Sequence, residues 1–269
     1  MPFSFFQILF AGLIFSLTLM SVIWWISVRI KNAGIVDIAW SAGFAALALI
    51  YAFMASGDPV RRWWMAAMAM AWSLRLGGYL YVRVMGHHPV EDRRYAQLRQ
   101  EWGAAADRKM FWFFQLQGAL QVVLSVPFLL AALDPSASLG WLEWTGATVW
   151  LVALVGESLS DAQLKRFKAN PTNRGGVCRE GLWAYSRHPN YFFEWLVWVG
   201  FFLFASASPW GWITLYCPAL MLHFLLKVTG IPMTEELAVR TKGAAYIDYQ
   251  KTTSRFFPWF PKRNGASSS

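Results

Sequence analysis

The sequence is poor in charged residues, cysteine and histidine. Charged residues make up 14% of its 269 positions, whereas about a quarter is usual in soluble domains, so the composition excludes an ordinary soluble fold. The two cysteines, Cys178 and Cys217, offer neither a disulfide framework nor the spacing of a metal site. The four histidines form no H-x-x-H or H-E-x-x-H motif, and we therefore predict no metal centre.

Long apolar runs take the place of the missing charge. Hydrophobic residues reach 57% of the chain and aromatic residues 17%. We predict an all-α fold, a polytopic membrane protein with seven transmembrane helices in one bundle. The first apolar window lacks the basic flank and the A-x-A site of a cleavable signal. The seven windows that are long enough to cross a bilayer are Phe6–Val28, Val36–Ala55, Trp63–Tyr81, Met110–Leu133, Leu142–Leu164, Tyr191–Ala207 and Trp210–Thr229.

The domain organisation is predicted to be simple. No repeat of fixed period occurs, and no loop is long enough to fold as a separate domain. Residues 1–263 are therefore predicted to form a single seven-helix membrane domain. The small polar tail NGASSS, at residues 264–269, is predicted to be disordered.

The distribution of positive charge predicts the orientation. Of the 24 lysines and arginines, 21 lie on one side of a seven-helix arrangement, and only Arg61 and Arg62 lie on the other. The positive-inside rule then places the N-terminus outside and the C-terminus in the cytoplasm, with the bacterial inner membrane as the predicted location. The net charge of +9 suits anionic headgroups, or a nucleotide phosphate as well. No basic-aromatic domain lies outside the membrane, so nucleic acid is not a predicted partner.

Several ionisable residues lie inside the apolar windows, where each must be paired, solvated or neutral. For Asp37 and Arg75, in the second and third windows, a mutual ion pair and a ligand cavity are both compatible with the sequence. Glu157 and Asp161 are four residues apart and share one helical face, and Glu194 lies one turn inside the sixth window. These carboxylates are interpreted either as a polar helix end or as acceptors for a ribose or an amide.

The most informative motif is GLWAYSRHPNYFFEW, at residues 181–195. It closely resembles the signature of the membrane steroid 5α-reductase superfamily, and most nearly that of its bacterial branch of seven-helix proteins, the DUF1295 family. Five further segments resemble the same branch and occur in the same order as in that branch. They are GIVDIAW, WSLRLGGYLYVR, GHHPVEDRRYAQLRQEWG, SDAQLKRFK and TEELAVRTKGAAYIDYQKTTSRFFPWFPK. The resemblance covers roughly residues 30–262. The fragment RHPNY alone is also similar to the R-H-P-x-Y of isoprenylcysteine-type membrane methyltransferases, which use S-adenosylmethionine.

The reductase resemblance implies NADPH bound at the cytoplasmic side, with its nicotinamide next to a lipidic substrate that enters from the bilayer. It implies that Asp161 and Asn190 contact the cofactor and that Glu194 faces the nicotinamide amide. Arg75 and Tyr79 would line the same pocket. The further predicted cofactor contacts, from the helix end, the loop, the motif and the tail, are Glu157, Lys165, Lys168, Arg174, Arg179, Tyr185, Arg187, His188, Tyr191, Glu236, Tyr246 and Tyr249.

The predicted chemistry is hydride transfer to a carbon–carbon double bond in a lipid. An enone needs a hydrogen-bond donor at its carbonyl oxygen, where negative charge develops. In the reductases that the chain resembles, a glutamate and a tyrosine hold the ketone, and these positions correspond to Asp37 and Trp72. An indole donates but cannot pass on a proton, so the donor could instead be Tyr79, Tyr81 or Tyr51, among which the sequence does not select. The predicted catalytic residues are Asp37, Trp72 and Tyr79. The substrate is left as a steroid-like enone or another unsaturated lipid, and the oligomeric state is left open.

The tail after the last window carries Tyr246, Tyr249 and Lys251, followed by FFPWF. We interpret it as a short cytoplasmic helix with an aromatic anchor at the membrane surface, or as a lid over the nucleotide. We expect Arg187→Ala and Asn190→Ala to weaken cofactor binding with little loss of folded protein.

Two alternative functions stay open at this stage, an S-adenosylmethionine-dependent membrane methyltransferase and a non-catalytic lipid-binding protein. The six lysines and arginines of loop 165–190 favour a cofactor that carries phosphate.

Overall fold

The structure is a computed structural model that describes residues 2–228 and 230–262. Within these residues every regular element is helical, as the sequence predicted, and no β-strand occurs. The predicted disordered tail, 264–269, lies outside the described residues. The α-helices are α1 (Phe5–Ile30), α2 (Ile35–Met54), α3 (Pro59–Met85), α4 (Arg93–Trp102), α5 (Ala106–Leu124), α6 (Val126–Leu133), α7 (Trp141–Ala169), α8 (Pro189–Ala205), α9 (Tyr216–His223), α10 (Ile231–Lys242) and α11 (Ala244–Thr252).

In the described part of the chain, four helical stretches are long and apolar enough to cross a membrane. They are Phe5–Ile30, Ile35–Met54, Arg93–Leu133 and Gly211–Lys242. This supports a membrane protein. The predicted number of seven spans and the predicted orientation are not decided by these four stretches, and both stay predictions.

Local sequence signals account for where several helices begin and end. Ser4 and Gln7 form a reciprocal capping box at the start of α1, and Asp58 caps α3, whose first residue is Pro59. The single window predicted over residues 110–133 is divided into α5 and α6 near Pro127. Proline has no N–H to donate to the preceding turn, so a helix readily begins at such a position.

The described residues divide into two compact units. The N-terminal unit comprises Met1–Trp144 and Phe204–Thr214. Its α2 and α3 are joined by a reciprocal pair of hydrogen bonds, in which Ser41 Oγ donates to the carbonyl of Ser73 at 2.9 Å and Ser73 Oγ donates to that of Ser41 at 2.6 Å. Both hydroxyls are buried, and an apolar surrounding requires such internal satisfaction.

The C-terminal unit comprises Thr145–Leu203 and Leu215–Ser269. Its α7 and α8 approach each other closely where glycine faces a large side chain. A Cβ at Gly200 would lie 2.7 Å from the Cβ of Trp150, and a Cβ at Gly156 would overlap the ring of Phe193. Small residues at a helix interface allow this approach of the two backbones.

Candidate functional site

The α7–α8 pair carries the polar side chains from which we build the candidate site. Its contacts join Asn190 to Asp161, Phe193 to Gly156, and Gly200 to Trp150. Contacts nearer the end of α8 involve residues nearer the start of α7, so the two helices run antiparallel. One turn beyond the pair formed by Asn190 and Asp161, this register places Glu157 and Glu194 at the same level along the two helices.

These α7 and α8 side chains form a buried, acceptor-rich cluster. Asn190 Nδ2 donates to Asp161 Oδ1 at 3.4 Å, and Glu194 Oε1 accepts from the indole N–H of Trp198 at 3.1 Å. The side chains of Glu157, Asp161 and Glu194 are all buried. An ionised carboxylate accepts hydrogen bonds and donates none. The arrangement therefore suits a ligand that presents hydroxyl or amide donors.

Arg187 of the motif is bound within the chain itself. Its Nε donates to Glu235 Oε1 at 2.7 Å, and its Nη1 donates to the carbonyls of Gln250 at 2.9 Å and Thr253 at 2.8 Å. The guanidinium thus ties the motif to α10 and to the end of α11. The expectation that Arg187→Ala leaves folding intact is not supported by this geometry, because the half-buried carboxylate of Glu235 would lose its nearest cation and keep only Arg255, whose Nε lies 3.9 Å away.

His188 is held between Glu235 and an aromatic ring. Its Nε2 lies 3.2 Å from Glu235 Oε1, and its ring stacks on that of Tyr191 with an interplanar angle of 4°. Burial lowers the pKa of His188 below its usual value, and the charges of Arg187 and Arg255 add to this, against the opposing effect of Glu235. The ring is therefore neutral at neutral pH.

Two tyrosines of α11 complete the surroundings of the motif. Tyr249 donates from its hydroxyl to the carbonyls of Trp183 and Ser186. Burial raises the pKa of Tyr246 to about 12, reinforced by the negative charge of Glu235, and burial also raises the pKa of Tyr249. Both hydroxyls therefore remain protonated and act as hydrogen-bonding groups.

The basic residues predicted to hold phosphate differ in their surroundings. Lys165, Lys168 and Arg174 are exposed. Arg179 is bound to Asp248 at 2.9 Å and to the carbonyl of Ala245 at 2.7 Å. The exposed three thus remain better suited to an anionic ligand than Arg179.

Of the two neighbouring glutamates of α10, the one that contacts the motif is Glu235, whereas the sequence pointed to Glu236. Glu236, the predicted contact, is exposed and pairs with Arg240 at 2.6 Å on the surface of α10. The spacing of α10 offered a partial signal, because Glu235 lies four residues after the buried Ile231. Of the predicted tyrosines, Tyr185 is exposed and the Tyr191 hydroxyl lies 3.4 Å from Thr234 Oγ1.

In the N-terminal unit, Asp37 belongs to a cluster of ion pairs. Its Oδ2 lies 2.6 Å from Arg94 Nη2 and 3.4 Å from Arg83 Nη2, and its Oδ1 accepts from the Tyr95 hydroxyl at 2.6 Å. Burial opposes ionisation of the neighbouring Asp92, but the hydrogen bonds and charge of Arg94 outweigh it and keep the pKa of Asp92 below its usual value. Asp37 thus joins α2 to α4.

The other predicted residues of this unit lie along α3. Trp72 is fully buried, with its ring centroid 5.4 Å from that of Phe44, as expected of a core side chain. The guanidinium of Arg75 lies over the ring of Tyr79, 5.9 Å from its centroid. The catalytic roles of Asp37, Trp72 and Tyr79 stay predictions.

Comparison with known proteins identifies the family. The profile described as protein of unknown function, DUF1295, matches residues 23–253. The chain belongs to the DUF1295 family. One curated relative, the uncharacterized protein C594.04c of Schizosaccharomyces pombe, is 30% identical over 280 aligned positions, which cover 92% of this chain and 78% of that protein. No solved structure is significantly similar to the chain.

The family match relates directly to the candidate site. The DUF1295 profile spans the helices α7 and α8, the motif and the α10–α11 pair that holds it. It confirms the part of the predicted resemblance that concerns DUF1295. The wider relation to steroid 5α-reductases and the bacterial origin stay predictions, and the curated relative is a yeast protein.

Proposed function

We propose that this DUF1295 protein is a membrane-embedded, NADPH-dependent reductase of a carbon–carbon double bond in a lipid. The observation that carries the proposal is the antiparallel register of α7 and α8. It brings the buried carboxylates Glu157, Asp161 and Glu194 together with Asn190. Carboxylate and amide groups placed side by side in this way are the hydrogen-bonding groups that ribose hydroxyls and a nicotinamide amide require.

The residues present fit NADPH in both sign and position along the chain. Asp161, Glu157 and Glu194 would accept hydrogen bonds from ribose hydroxyls and the nicotinamide amide. Lys165 and Lys168 follow at the end of α7, and their exposed ammonium groups would meet phosphate. When bound, NADPH would supply a hydride; the chain's own residues would orient it and exclude water.

The motif network has a supporting part in this proposal. Arg187 and Glu235 form an ion pair that holds the turn before α8 in place. Since Asn190 and Glu194 occupy the first two turns of that helix, the ion pair positions both acceptors. We therefore treat Arg187 and Glu235 as positioning residues.

Seven membrane spans with a cytoplasmic C-terminus form part of the proposal. In the described residues, five of the seven apolar windows fall largely within one α-helix each, the window over residues 110–133 is shared by α5 and α6, and the last window combines α9 with short 3-10 and π turns. Helices α3 and α7 contain 27 and 29 residues, which at about 1.5 Å per residue exceeds the ~30 Å hydrocarbon layer. Reporter fusions after residues 57, 136 and 262 test this topology. Fluorescence of a fused green fluorescent protein is expected only at position 262 and would contradict the orientation at the other two.

The cofactor is tested by direct binding. Purified protein in nanodiscs should bind NADPH, and Glu194→Gln and Glu157→Gln should each weaken binding by about tenfold, since one charge-assisted hydrogen bond contributes ~1.5 kcal/mol or more. Glu101→Gln is the matched control, because Glu101 is exposed on α4 and bonded to Gln97.

Native mass spectrometry of the purified protein separates the competing functions. A co-purified dinucleotide supports the reductase. Retained S-adenosylmethionine, which the RHPNY fragment also allows, would support the methyltransferase and contradict the reductase. Unchanged NADPH affinity in both glutamine variants would remove the α7–α8 cluster from the cofactor site.

A further inference from the structure

A short segment after α11 runs across the motif and is fastened to it. We call residues 254–262 the C-terminal strap. The carbonyl of Ser254 accepts from the backbone N–H of Arg187 at 2.8 Å, and the N–H of Trp259 donates to the carbonyl of Tyr185 at 2.9 Å. Between them, Ser186 Oγ donates to the carbonyl of Phe256 at 2.8 Å. Three successive motif residues are thus bound to one strap.

The strap places one aromatic side chain inward and others outward. Phe256 is buried and packs with Leu225 and Ile231. In contrast, the exposed fractions of Phe257, Trp259 and Phe260 are 54%, 73% and 76%. Together with the exposed Tyr185, whose ring meets that of Phe260 edge-on at 5.9 Å, these outward side chains form a surface that we call the aromatic patch.

Cations flank the aromatic patch along the chain, and one of them, Arg255, lies 3.9 Å from Glu235 of α10. Lys251, Arg255 and Lys262 are exposed, and residues 249–262 include no aspartate or glutamate. Aromatic side chains beside lysine and arginine are the combination that lies at the boundary between lipid headgroups and acyl chains. A contiguous apolar surface of this kind is costly in water.

We propose that the aromatic patch lies in the interfacial layer of the bilayer. It thereby fixes the RHP motif, residues 187–189, at headgroup depth. The chain has helical stretches able to cross a membrane, and a bilayer is therefore the surface that we assign to the patch. The basic flanks complement anionic headgroups. Because the strap shares three hydrogen bonds with residues 185–187, the depth of the strap in the bilayer determines the depth of these residues. The inference does not depend on which cofactor the protein binds.

Site-directed spin labelling in nanodiscs that contain anionic lipid measures the depth. Nitroxides are attached to Trp259→Cys and Phe260→Cys, and their collision rates with oxygen and with a water-soluble nickel chelate are compared. Val152→Cys on α7 is the reference for acyl chains, and Arg240→Cys on α10 is the reference for water. Cys178 and Cys217 are buried, and the unsubstituted chain treated in the same way reports their background labelling.

The expected oxygen-to-nickel ratio at both strap positions lies between the two references. A ratio equal to that at Arg240→Cys would place the patch in water and overturn the proposal. Low accessibility to both reagents would show a covering protein surface, such as a second copy, and would also overturn it.

A second measurement tests whether the strap positions the motif. A nitroxide at Tyr185→Cys should show the interfacial ratio, and the additional changes Trp259→Ser and Phe260→Ser should shift it toward the value for water. Both serines replace exposed side chains, and an unchanged unfolding midpoint confirms that the variant is folded. A ratio at Tyr185→Cys that does not move would show that other contacts set the depth of the motif.

Discussion

Two arginines, one in each unit, are bound in nearly the same way, although only one lies in a recognisable motif. Arg61 lies in the first turn of α3 and has 3% of its surface exposed. Its Nε donates to Glu143 at 2.8 Å, and its Nη atoms donate to the carbonyls of Ser136 and Ser138. Arg61 Nη1 also lies 3.5 Å from Asp134 Oδ2. Arg187 has 8% exposed and binds one glutamate and two carbonyls in the same manner. Both guanidinium groups fasten one segment of chain to another.

The two arginines differ in what else their glutamates bind. Glu143 also accepts from the backbone N–H of Gly140 at 2.7 Å, which completes a local turn. Glu235 accepts in addition from Gln250 at 3.2 Å and lies beside His188. The partners of Glu235 therefore include a histidine, whereas those described for Glu143 do not. Motif membership alone does not make an arginine a ligand contact; the neighbouring groups carry that information.

The largest effect on stability is expected when either arginine is replaced. Arg61→Ala should lower the free energy of unfolding by about 3–5 kcal/mol, because it leaves the buried carboxylates of Glu143 and Asp134 without the cation they share. Arg187→Ala should lower it by about 3 kcal/mol, because the half-buried Glu235 loses its nearest cation and keeps only Arg255, at 3.9 Å. Equilibrium unfolding in mixed micelles measures this. An Arg187→Ala protein with wild-type stability and lost NADPH affinity would break the comparison and return Arg187 to the cofactor site.

A pair of neighbouring glutamates sharpens the comparison. Glu235→Gln should lower the free energy of unfolding by about 2 kcal/mol, since it removes the charge from a hydrogen-bonded ion pair. Glu236→Gln should change it by ~0.5 kcal/mol or less, because its pair with Arg240 is exposed. The same unfolding measurement serves both variants. Equal effects would show that α10 is rotated relative to the motif.

Glycine substitutions test the close packing that sets the α7–α8 register. Gly200→Ala should destabilise the protein by about 1–3 kcal/mol, because its Cβ would overlap the backbone of Trp150. Gly78→Ala on α3 is the control. No atom lies within 4 Å of a Cβ there, so helix propensity should leave stability unchanged or raise it by ~1 kcal/mol. Wild-type stability in Gly200→Ala would contradict the close packing of α7 against α8 from which their register is inferred.

The smallest effect is the pH response of the motif network. The folded-state pKa of His188 lies below its unfolded value of about 6.5, so the unfolded chain takes up the proton first as pH falls. Stability should therefore decrease as pH falls below about 6.5 and be fully present above it. His188→Gln should flatten this dependence between pH 7 and pH 5, whereas the exposed His87→Gln should leave it unchanged. An identical slope in both variants would assign the titration to another group.

Much of the helical architecture was predictable from residue type alone. The helices over the seven windows follow from long apolar runs, and caps such as Asp58 mark their starts. The carboxylates on α7 and α8 were also recognised, because i, i+4 spacing defines a face. Side-chain partners were not predictable in the same way. Trp72, proposed as catalytic, lies in the N-terminal core. The nearest partners of Asp37, Arg94 and Tyr95, come from α4, some sixty positions later in the chain.

The sequence by itself determined two properties of this protein, its apolar, membrane-type composition and its family. Hydrophobic composition is a sum over residues, and the ordered motifs need no coordinates to be read. Only the tertiary structure decided that Glu235, and not Glu236, meets the RHP motif, and that Arg187 is turned inward to the chain. Which of two adjacent side chains is buried depends on the rotation of α10 against its neighbours, and long-range packing sets that rotation.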